Sequence, residues 1–564
     1  MKKFLIVAIL FVAANLLYSQ VELVPPSHPV YEYLKRMQLL NVIDNYNSSV
    51  IPISRQQIAG YLSAINTNKS KITGLDKEML NDYMIEFEYD IKKTLKSNYS
   101  LFSKVDLNEV FSNKKQKYLY NYIDSNATFF WDVNGYVSQR NSSGDSLGKH
   151  SISLGELGIR VRGTLYDAVG YYLRMSNGQK ITGNQGDIDM SIATYPKLSA
   201  NTKYRNENNN FDTYEGYLRY STNNEWLSIM AGKEALLTGF GYIDKLFLSD
   251  NTVPFSYLKL DLKYKSLHYY YLYGSLKGDS LGNDLSTKNI AAHRLNIDFS
   301  NAFKVGFFET IIISDDPFNF TFLNPLSFLR SADYNAGELT GGNKNNAIMG
   351  FDFEAHPVRK LAFQGTLLID DLNFSTLFSN KMRNGVSGGN DNRFGYQFGT
   401  IWTDAFAIPD LTAKFEYTRL DPFVYTHRTN KSQYTNWALP LGHSLQPNAD
   451  EIAVKLSSYI YSRLMVNLTL QHQRTAGRIT MHGDTLIENY GGYINRGDGD
   501  LVRENTFLSG DRVDKDIVSF DFVWQPIRQY YIEFLYRFTR YNLIYMSNKK
   551  INDSYFFLTA RVDF

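Results

Sequence analysis

The sequence predicts an all-β transmembrane barrel of about 18 antiparallel strands, preceded by a small N-terminal α-helical bundle. Three observations lead there. The 564 residues include 42 Tyr and 37 Phe but only 14 Pro, a composition that favours strands. From about Tyr118 onward the apolar pattern changes from a helical period to a period of two. The connections between the strands then alternate between short turns and long polar loops, as they do in outer-membrane barrels.

Residues 1–20 read as a secretory signal peptide. Lys2 and Lys3 give the positive start, Phe4 to Leu17 the apolar core, and cleavage is expected near Ser19 or Gln20. The apolar run is short of the ~20 residues that a membrane-spanning helix needs. No later run is long enough either, so a membrane-resident chain has to cross as a closed barrel.

Residues 21–117 are expected to form a periplasmic helical bundle or plug. Val30, Leu34, Met37, Leu40 and Ile43 recur at helical spacing. A second helix starts at Ser54, with Gln57 placed for a capping box and Ile58, Leu62 and Ile65 on its apolar face. A third runs from about Leu75 to Leu95. Helices this short bury too little area to stand alone, so they are expected to pack on something else.

Residues 118–564 are assigned to the barrel. Leu258, Leu260, Leu262 and Tyr264 share one face of a strand, against Lys259, Asp261 and Lys263 on the other. The same alternation marks 411–417, 451–456 and 464–471. Strands are expected at 129–140, 156–167, 168–179, 214–223, 226–236, 256–264, 267–276, 291–301, 303–313, 346–357, 361–373, 393–406, 411–422, 451–462, 464–475, 513–526, 530–542 and 554–564. Tight turns at Lys265-Ser266, Asn301-Ala302 and Ile408-Pro409-Asp410 alternate with long loops at 180–213, 314–345, 423–450 and 476–512. The chain ends on an amphipathic strand with Phe556, Leu558, Ala560, Val562 and Phe564 on one face. Such a strand resembles the signal by which outer-membrane barrels are recognised for assembly. The many Tyr and Phe then fall into aromatic girdles at the two membrane interfaces.

Several function classes are excluded or disfavoured. Lys+Arg 59 against Asp+Glu 57 gives a formal charge of +2, without the basic excess of a nucleic-acid protein. With no Cys there is no disulfide, thiolate zinc site or Cys nucleophile. No catalytic motif is present, and the nine His are scattered rather than metal-spaced. The protein is therefore read as a non-enzyme without cofactor or metal. Gly239-Phe240-Gly241 is too short a glycine motif to indicate a nucleotide. Asp498 and Asp500 read as a solvated turn rather than a Ca²⁺ site. Sugar binding is the better candidate. The loop from Tyr425 to His443 carries Arg428, Lys431, Tyr434, Trp437 and His443. Aromatic faces stack on pyranose rings, and the basic groups bond hydroxyls or acidic substituents. The alternative for each of these residues is folding the loop onto the barrel.

Several stretches resemble the Wzi-type capsule assembly proteins of the Gram-negative outer membrane. They are GKEALLTGFGYIDKLFLSDNTVPFSYLKL from Gly232, FNFTFLNPLSFLRSADYN from Phe318, LLIDDLNF from Leu367 and YTHRTNKSQYTNWALPLGHSLQPNADEI from Tyr425, together with HPVYEYLKRMQLLNVI and PISRQQIAGYL in the prefix. The resemblance implies an eighteen-stranded barrel with a periplasmic helical bundle and a lectin-like, non-enzymatic role. The protein would hold capsular or extracellular polysaccharide on the cell surface. Outer-membrane lipid is the expected surroundings, the polysaccharide export machinery a possible partner, and a monomer the expected state. The alternative is a porin-like channel for small solutes or oligosaccharides. What separates the two is whether the lumen is open, or filled by the helical prefix and the 314–345 loop.

Overall fold

The computed structural model describes residues 20–564 apart from 104, 201–209, 282–283, 317, 341–344, 373, 375–376, 378–391, 428–430, 483–484 and 497–505. The expected leader and Asp498 and Asp500 thus lie outside the described residues.

Eighteen strands close a barrel: β1 (Thr128–Gly144), β2 (His150–Leu165), β3 (Val169–Thr182), β4 (Asn210–Ser221), β5 (Leu227–Glu234), β6 (Phe255–Tyr264), β7 (Leu267–Leu281), β8 (Asp284–Ser300), β9 (Phe303–Ser314), β10 (Asn346–Val358), β11 (Leu361–Asp371), β12 (Arg393–Thr403), β13 (Leu411–Leu420), β14 (Ala449–Tyr461), β15 (Leu464–Thr475), β16 (Val513–Ile527), β17 (Tyr530–Leu543) and β18 (Lys549–Asp563). Each pairs antiparallel with its sequence neighbour. Pairing of β18 with β1, from Asp553 opposite Gly144 to Asp563 opposite Asn134, closes the ring. Closure leaves no unpaired sheet edge, the condition for crossing a bilayer with strands. At the join, the Phe564 N–H donates to the Val133 carbonyl at 2.7 Å. Every expected strand has one observed counterpart.

Alternation sets the two faces. Leu258 is 53 % exposed on the outside, whereas Lys259 is 6 % exposed and points inward. There Lys259 pairs with Asp261 at 2.8 Å, and His268 lies 2.9 Å from the same carboxylate. Val137, Leu157, Leu218, Phe299, Phe351 and Leu558 continue the exposed apolar belt. One rim carries turns such as 166–168, 265–266, 301–302, 359–360, 462–463 and 528–529. The other carries long connections at 183–209, 235–254, 315–345, 372–392, 421–448 and 476–512, with 145–149, 282–283 and 544–548 as short exceptions.

The prefix folds into α1 (Val30–Leu39), α2 (Arg55–Thr67), α3 (Gly74–Glu86) and α4 (Glu88–Lys92). Ser54 Oγ accepts from the Gln57 N–H at 3.1 Å, capping α2. Thr73 and Asp76 form a reciprocal capping box on α3. The single helix expected from Leu75 to Leu95 is broken at Phe87. The bend buries the Phe87 ring beneath the Arg55 guanidinium, 4.2 Å from its centroid, and brings Asp90 to Arg55 at 2.8 Å. The helices share one apolar core that includes Val30, Leu34, Ile58, Leu62, Met79 and Phe87.

The bundle is clamped to the short-turn rim by charge. Arg36 reaches Asp76 on α3 at 2.8 Å, and Asp404 and Asp410 of the β12–β13 turn at 2.9 and 2.8 Å. Asp82 bridges Arg463 and Arg528 of two other turns at 2.7 and 2.5 Å. These are partly buried, shared pairs, so each loss strands a charge.

Candidate functional site

The lumen is filled from both ends. From the short-turn rim, residues 20–24 run along the inner wall. The Val21 N–H donates to Thr164 Oγ1 at 3.1 Å, the Leu23 N–H donates to the Tyr217 hydroxyl at 2.7 Å, and Glu22 pairs with Arg162 at 2.9 Å. Further along, Lys35 on α1 meets Glu354 at 2.5 Å, and Ser49 Oγ donates to Asn296 Oδ1 at 3.0 Å.

From the long-loop rim, the connection 235–254 dips into the barrel. Leu237–Thr238 pairs as a short strand with Val50–Ile51 of the prefix, and the Gly239 N–H donates to the Ser49 carbonyl at 2.8 Å. Glu416 on β13 accepts from the Tyr242 and Asp244 N–H groups at 2.8 and 3.0 Å. Lys245 Nζ donates to the Gly239 and Gly241 carbonyls at 2.6 and 3.1 Å. Burial pushes the Lys245 ammonium down to about 8. A Cβ on Gly241 would lie 1.9 Å from the Asp244 carbonyl oxygen, so the turn requires glycine there. The Gly239-Phe240-Gly241 motif is thus the bend of an inward plug.

Leu236, Leu246, Phe247 and Leu248 of this segment join Val50, Tyr270, Leu272, Phe308, Tyr425 and Tyr434 in one buried apolar cluster inside the barrel. Beside it, Arg294 and Asp352, both 0 % exposed, pair at 2.7 Å. A cavity of about 910 Å³ lies open between the helices and the inner faces of β1–β3 and β14–β18. Its walls include Tyr136, Arg160, Arg174, Lys455, Tyr531 and Asp563. Much of that charge is self-paired, for example Arg160 with Asp132 and Asp563, each at 2.9 Å.

The sequence-selected loop closes the top of the plug, and its five candidates separate. Tyr434 is fully buried; its ring stacks on Tyr425 at 5.3 Å and its hydroxyl donates to the Phe247 carbonyl at 2.9 Å. His443 is also buried, and its Nδ1 accepts from the Leu445 N–H at 3.0 Å. Tyr434 thus fastens the loop to the inward segment, and His443 holds a turn within the loop. Lys431 is at the surface, paired with Asp315 at 2.9 Å. Arg428 lies outside the described residues.

Trp437 is different. It sits at the tip of a hairpin between Thr435–Asn436 and Leu439–Pro440, with its indole 39 % exposed. Trp437 and Ala438 both hold left-handed backbone, φ 56° and 60°. Two non-glycine residues in this region are costly unless the surroundings impose them. The roots impose it: Asn436 donates to the Val253 carbonyl at 3.1 Å and accepts from the Lys277 N–H at 2.9 Å. Lys277 Nζ lies 5.3 Å from the Trp437 ring centroid, and Asn495 Nδ2 donates to the Ala438 carbonyl at 3.2 Å. Lys277, near the end of β7, and Asn495, in another connection, carry no local sequence signal for this site. Among the described residues no three His, Asp or Glu side chains gather as a metal site requires.

The comparisons with known proteins can be set against this geometry. Residues 138–495, more than half of the chain, match the family described as capsule assembly protein Wzi. Among solved structures, the chain resembles Wzi from Escherichia coli, reported as an outer-membrane, carbohydrate-binding β-barrel involved in group 1 capsule assembly. Identity is 11 %, coverage 96 % of this chain and 99 % of that one, and the TM-score 0.53. OprD of Pseudomonas aeruginosa aligns at 8 % identity over 77 % of this chain and 95 % of its own, with a TM-score of 0.42. OccAB2 of Acinetobacter baumannii aligns at 10 % over 77 % and 98 %, with a TM-score of 0.43. A search of the curated proteins finds no match. The match over residues 138–495 settles the family: this chain is an outer-membrane β-barrel and belongs to the Wzi capsule assembly proteins.

Proposed function

We propose that the protein binds glycan at its outer face, without chemistry, and holds capsular or other extracellular polysaccharide at the cell surface. The observation that carries this reading is the outward Trp437 on a strained hairpin, rooted in a lumen that is filled from both ends. An indole at a fixed angle offers a flat apolar face to a pyranose ring. Lys277 beside it suits an acidic or hydroxyl-rich substituent, and Asn495 holds the neighbouring loop against the hairpin. One such contact is weak, but a polymer repeats it, and repetition across many copies in the membrane gives avidity. The polymer would arrive from the export machinery, and a single barrel suffices to hold it. The same filling counts against the porin-like alternative, because an open eighteen-stranded barrel would leave an aqueous channel.

The test is direct binding. Surface polysaccharide isolated from the producing cell is passed over the purified barrel held in lipid nanodiscs. The expected result is saturable binding that Trp437→Ala weakens. Equal binding by wild type and variant would remove Trp437 from the site. No binding by either would remove the function.

A further inference from the structure

The described residues of the connection 315–345 neither enter the lumen nor stand free above the rim. Strand parity decides where it lies. On β7 to β9 the inward residues are Tyr270, Leu272, Ile290, Arg294, Phe308 and Ile312, since these meet the plug. The alternate residues Tyr269, Tyr271, Tyr273, Ala291, His293, Glu309, Ile311 and Ile313 therefore face outward. It is these outward residues that the connection covers. Phe322 and Leu329 pack with Tyr271, Ala291, Ile311 and Ile313 in a buried cluster on the outer wall.

The contacts give the path. Phe318 packs edge-on against Tyr273 at 5.8 Å; further on, the Tyr271 hydroxyl donates to the Phe322 carbonyl and the Tyr269 hydroxyl to the Pro325 carbonyl. The chain thus descends from the long-loop rim along β7, at about 3.3 Å per strand residue. It stops two residues short of the 265–266 turn. There it reverses, with Phe328 stacked on Phe307 at 6.4 Å, and returns as the helix Leu329–Thr340.

The wall beneath is built for this cover. Polar groups on the lipid side bond to it. Glu309, 0 % exposed, accepts from the Leu329 and Arg330 N–H groups at 2.9 and 2.7 Å and pairs with His293 at 2.9 Å. Asn289 donates to the Asp316 carbonyl at 2.9 Å. Against hydrocarbon instead, the Glu309 carboxylate would lose both backbone donors, which is costly in a medium without water.

The exposed side of the strap is apolar. Phe320 is 79 % and Leu326 83 % exposed, with Phe318 and Phe328 beside them. They continue the exposed apolar belt of Phe299, near the short-turn end of β8, and of Phe351 and Phe353 on the neighbouring β10. We infer that residues 318–328 form a strap embedded in the membrane, whose outer face is covered by lipid acyl chains. A connection of extracellular-loop length is thereby withdrawn from the cell surface and, on the glycan-binding reading above, takes no part in glycan contact.

The natural chain has no Cys, so single-cysteine variants report cleanly. Leu326→Cys and Phe320→Cys are labelled with an environment-sensitive fluorophore, and the barrel is reconstituted in phosphatidylcholine vesicles with or without acyl-chain bromine. Tyr493→Cys, on an exposed outer loop, is the aqueous control. Folding of each variant is verified by its heat-modifiable gel mobility. The expected result is that bromine quenches the strap probes about twofold or more and leaves the control unchanged. On intact cells a membrane-impermeant maleimide is expected to label only the control. Rapid labelling of the strap on cells, without quenching, would overturn the inference by making the segment an aqueous loop. Absence of both labelling and quenching would overturn it by placing a protein, such as a second copy of this chain, on that face.

Discussion

The Gly239 N–H donates to the Ser49 carbonyl at 2.8 Å, joining two segments that enter the barrel from opposite ends. One is the prefix below, the other the connection between β5 and β6 above. Their meeting runs the plug along one side of the lumen, with the cavity on the other. Purified wild-type protein in a planar bilayer is therefore expected to show no steady open-channel conductance. Replacing residues 238–252 by a short Gly/Ser linker is expected to produce discrete open steps. Steady conductance from the wild type would count against a filled lumen.

The Arg294–Asp352 pair joins the barrel wall beneath that plug, with the guanidinium carbon 5.5 Å from the Phe240 ring centroid. Removing one partner of a fully buried pair leaves the other charge uncompensated, at a cost of about 3–5 kcal/mol. Arg294→Met is expected to lower the unfolding midpoint in detergent strongly, and the double variant Arg294→Met/Asp352→Leu to recover part of the loss. An unchanged midpoint in Arg294→Met would show that the pair is not buried as described.

Trp437 and Tyr434 are close in sequence and opposite in role. Trp437→Ala is expected to weaken polysaccharide binding roughly threefold to tenfold, the effect of an aromatic contact worth about 0.5–1.5 kcal/mol. Its unfolding midpoint should hardly move, because the indole is partly exposed. Tyr434→Phe deprives the buried Phe247 carbonyl of its donor and is expected to cost about 1 kcal/mol of stability. Binding assays and denaturant melts on both variants separate the roles. A stability loss in Trp437→Ala equal to that in Tyr434→Phe would make the indole structural.

Acid is expected to loosen the helical bundle. Burial alone would raise the Glu86 carboxyl, but His28 at 2.9 Å, then Arg55 and Arg528, outweigh it and hold the group at about 2. The folded value lies below the unfolded one of 4.5. The stabilisation is therefore complete above pH 4.5 and is lost as pH falls towards 2. Proteolysis of the bundle, followed between pH 5 and 2 with an acid-active protease, should accelerate across that window. In Glu86→Gln the acceleration should be smaller. Identical profiles would remove Glu86 from the linkage.

The strands were legible because lipid outside and polar filling inside impose a two-residue period. The end of the barrel shows the limit of that signal. The last strand was expected at 554–564 and spans Lys549–Asp563, because a short turn with left-handed Ser547 and Asn548 starts it earlier. Periodicity reports which side of a residue is apolar, but it does not separate lipid from a packed plug. Tyr434 and His443 look like loop aromatics in sequence and lie in the interior. The 314–345 connection looked able to fill the lumen, yet it covers the outer wall, where its aromatics find an equally apolar setting. The 235–254 connection did carry a signal, the apolar residues Leu236, Leu237, Phe240 and Ile243 and the run Leu246-Phe247-Leu248 in a segment of loop length. Only the fold says that this run goes inward.

The central claim is retention of glycan at the cell surface, and the most direct measurement is the ratio of released to cell-bound polysaccharide in cells lacking this protein. The expected result is that polymer is still made but shed into the medium. Wild-type protein should restore retention, and Trp437→Ala should restore it only in part. Unchanged retention in cells lacking the protein would contradict the claim.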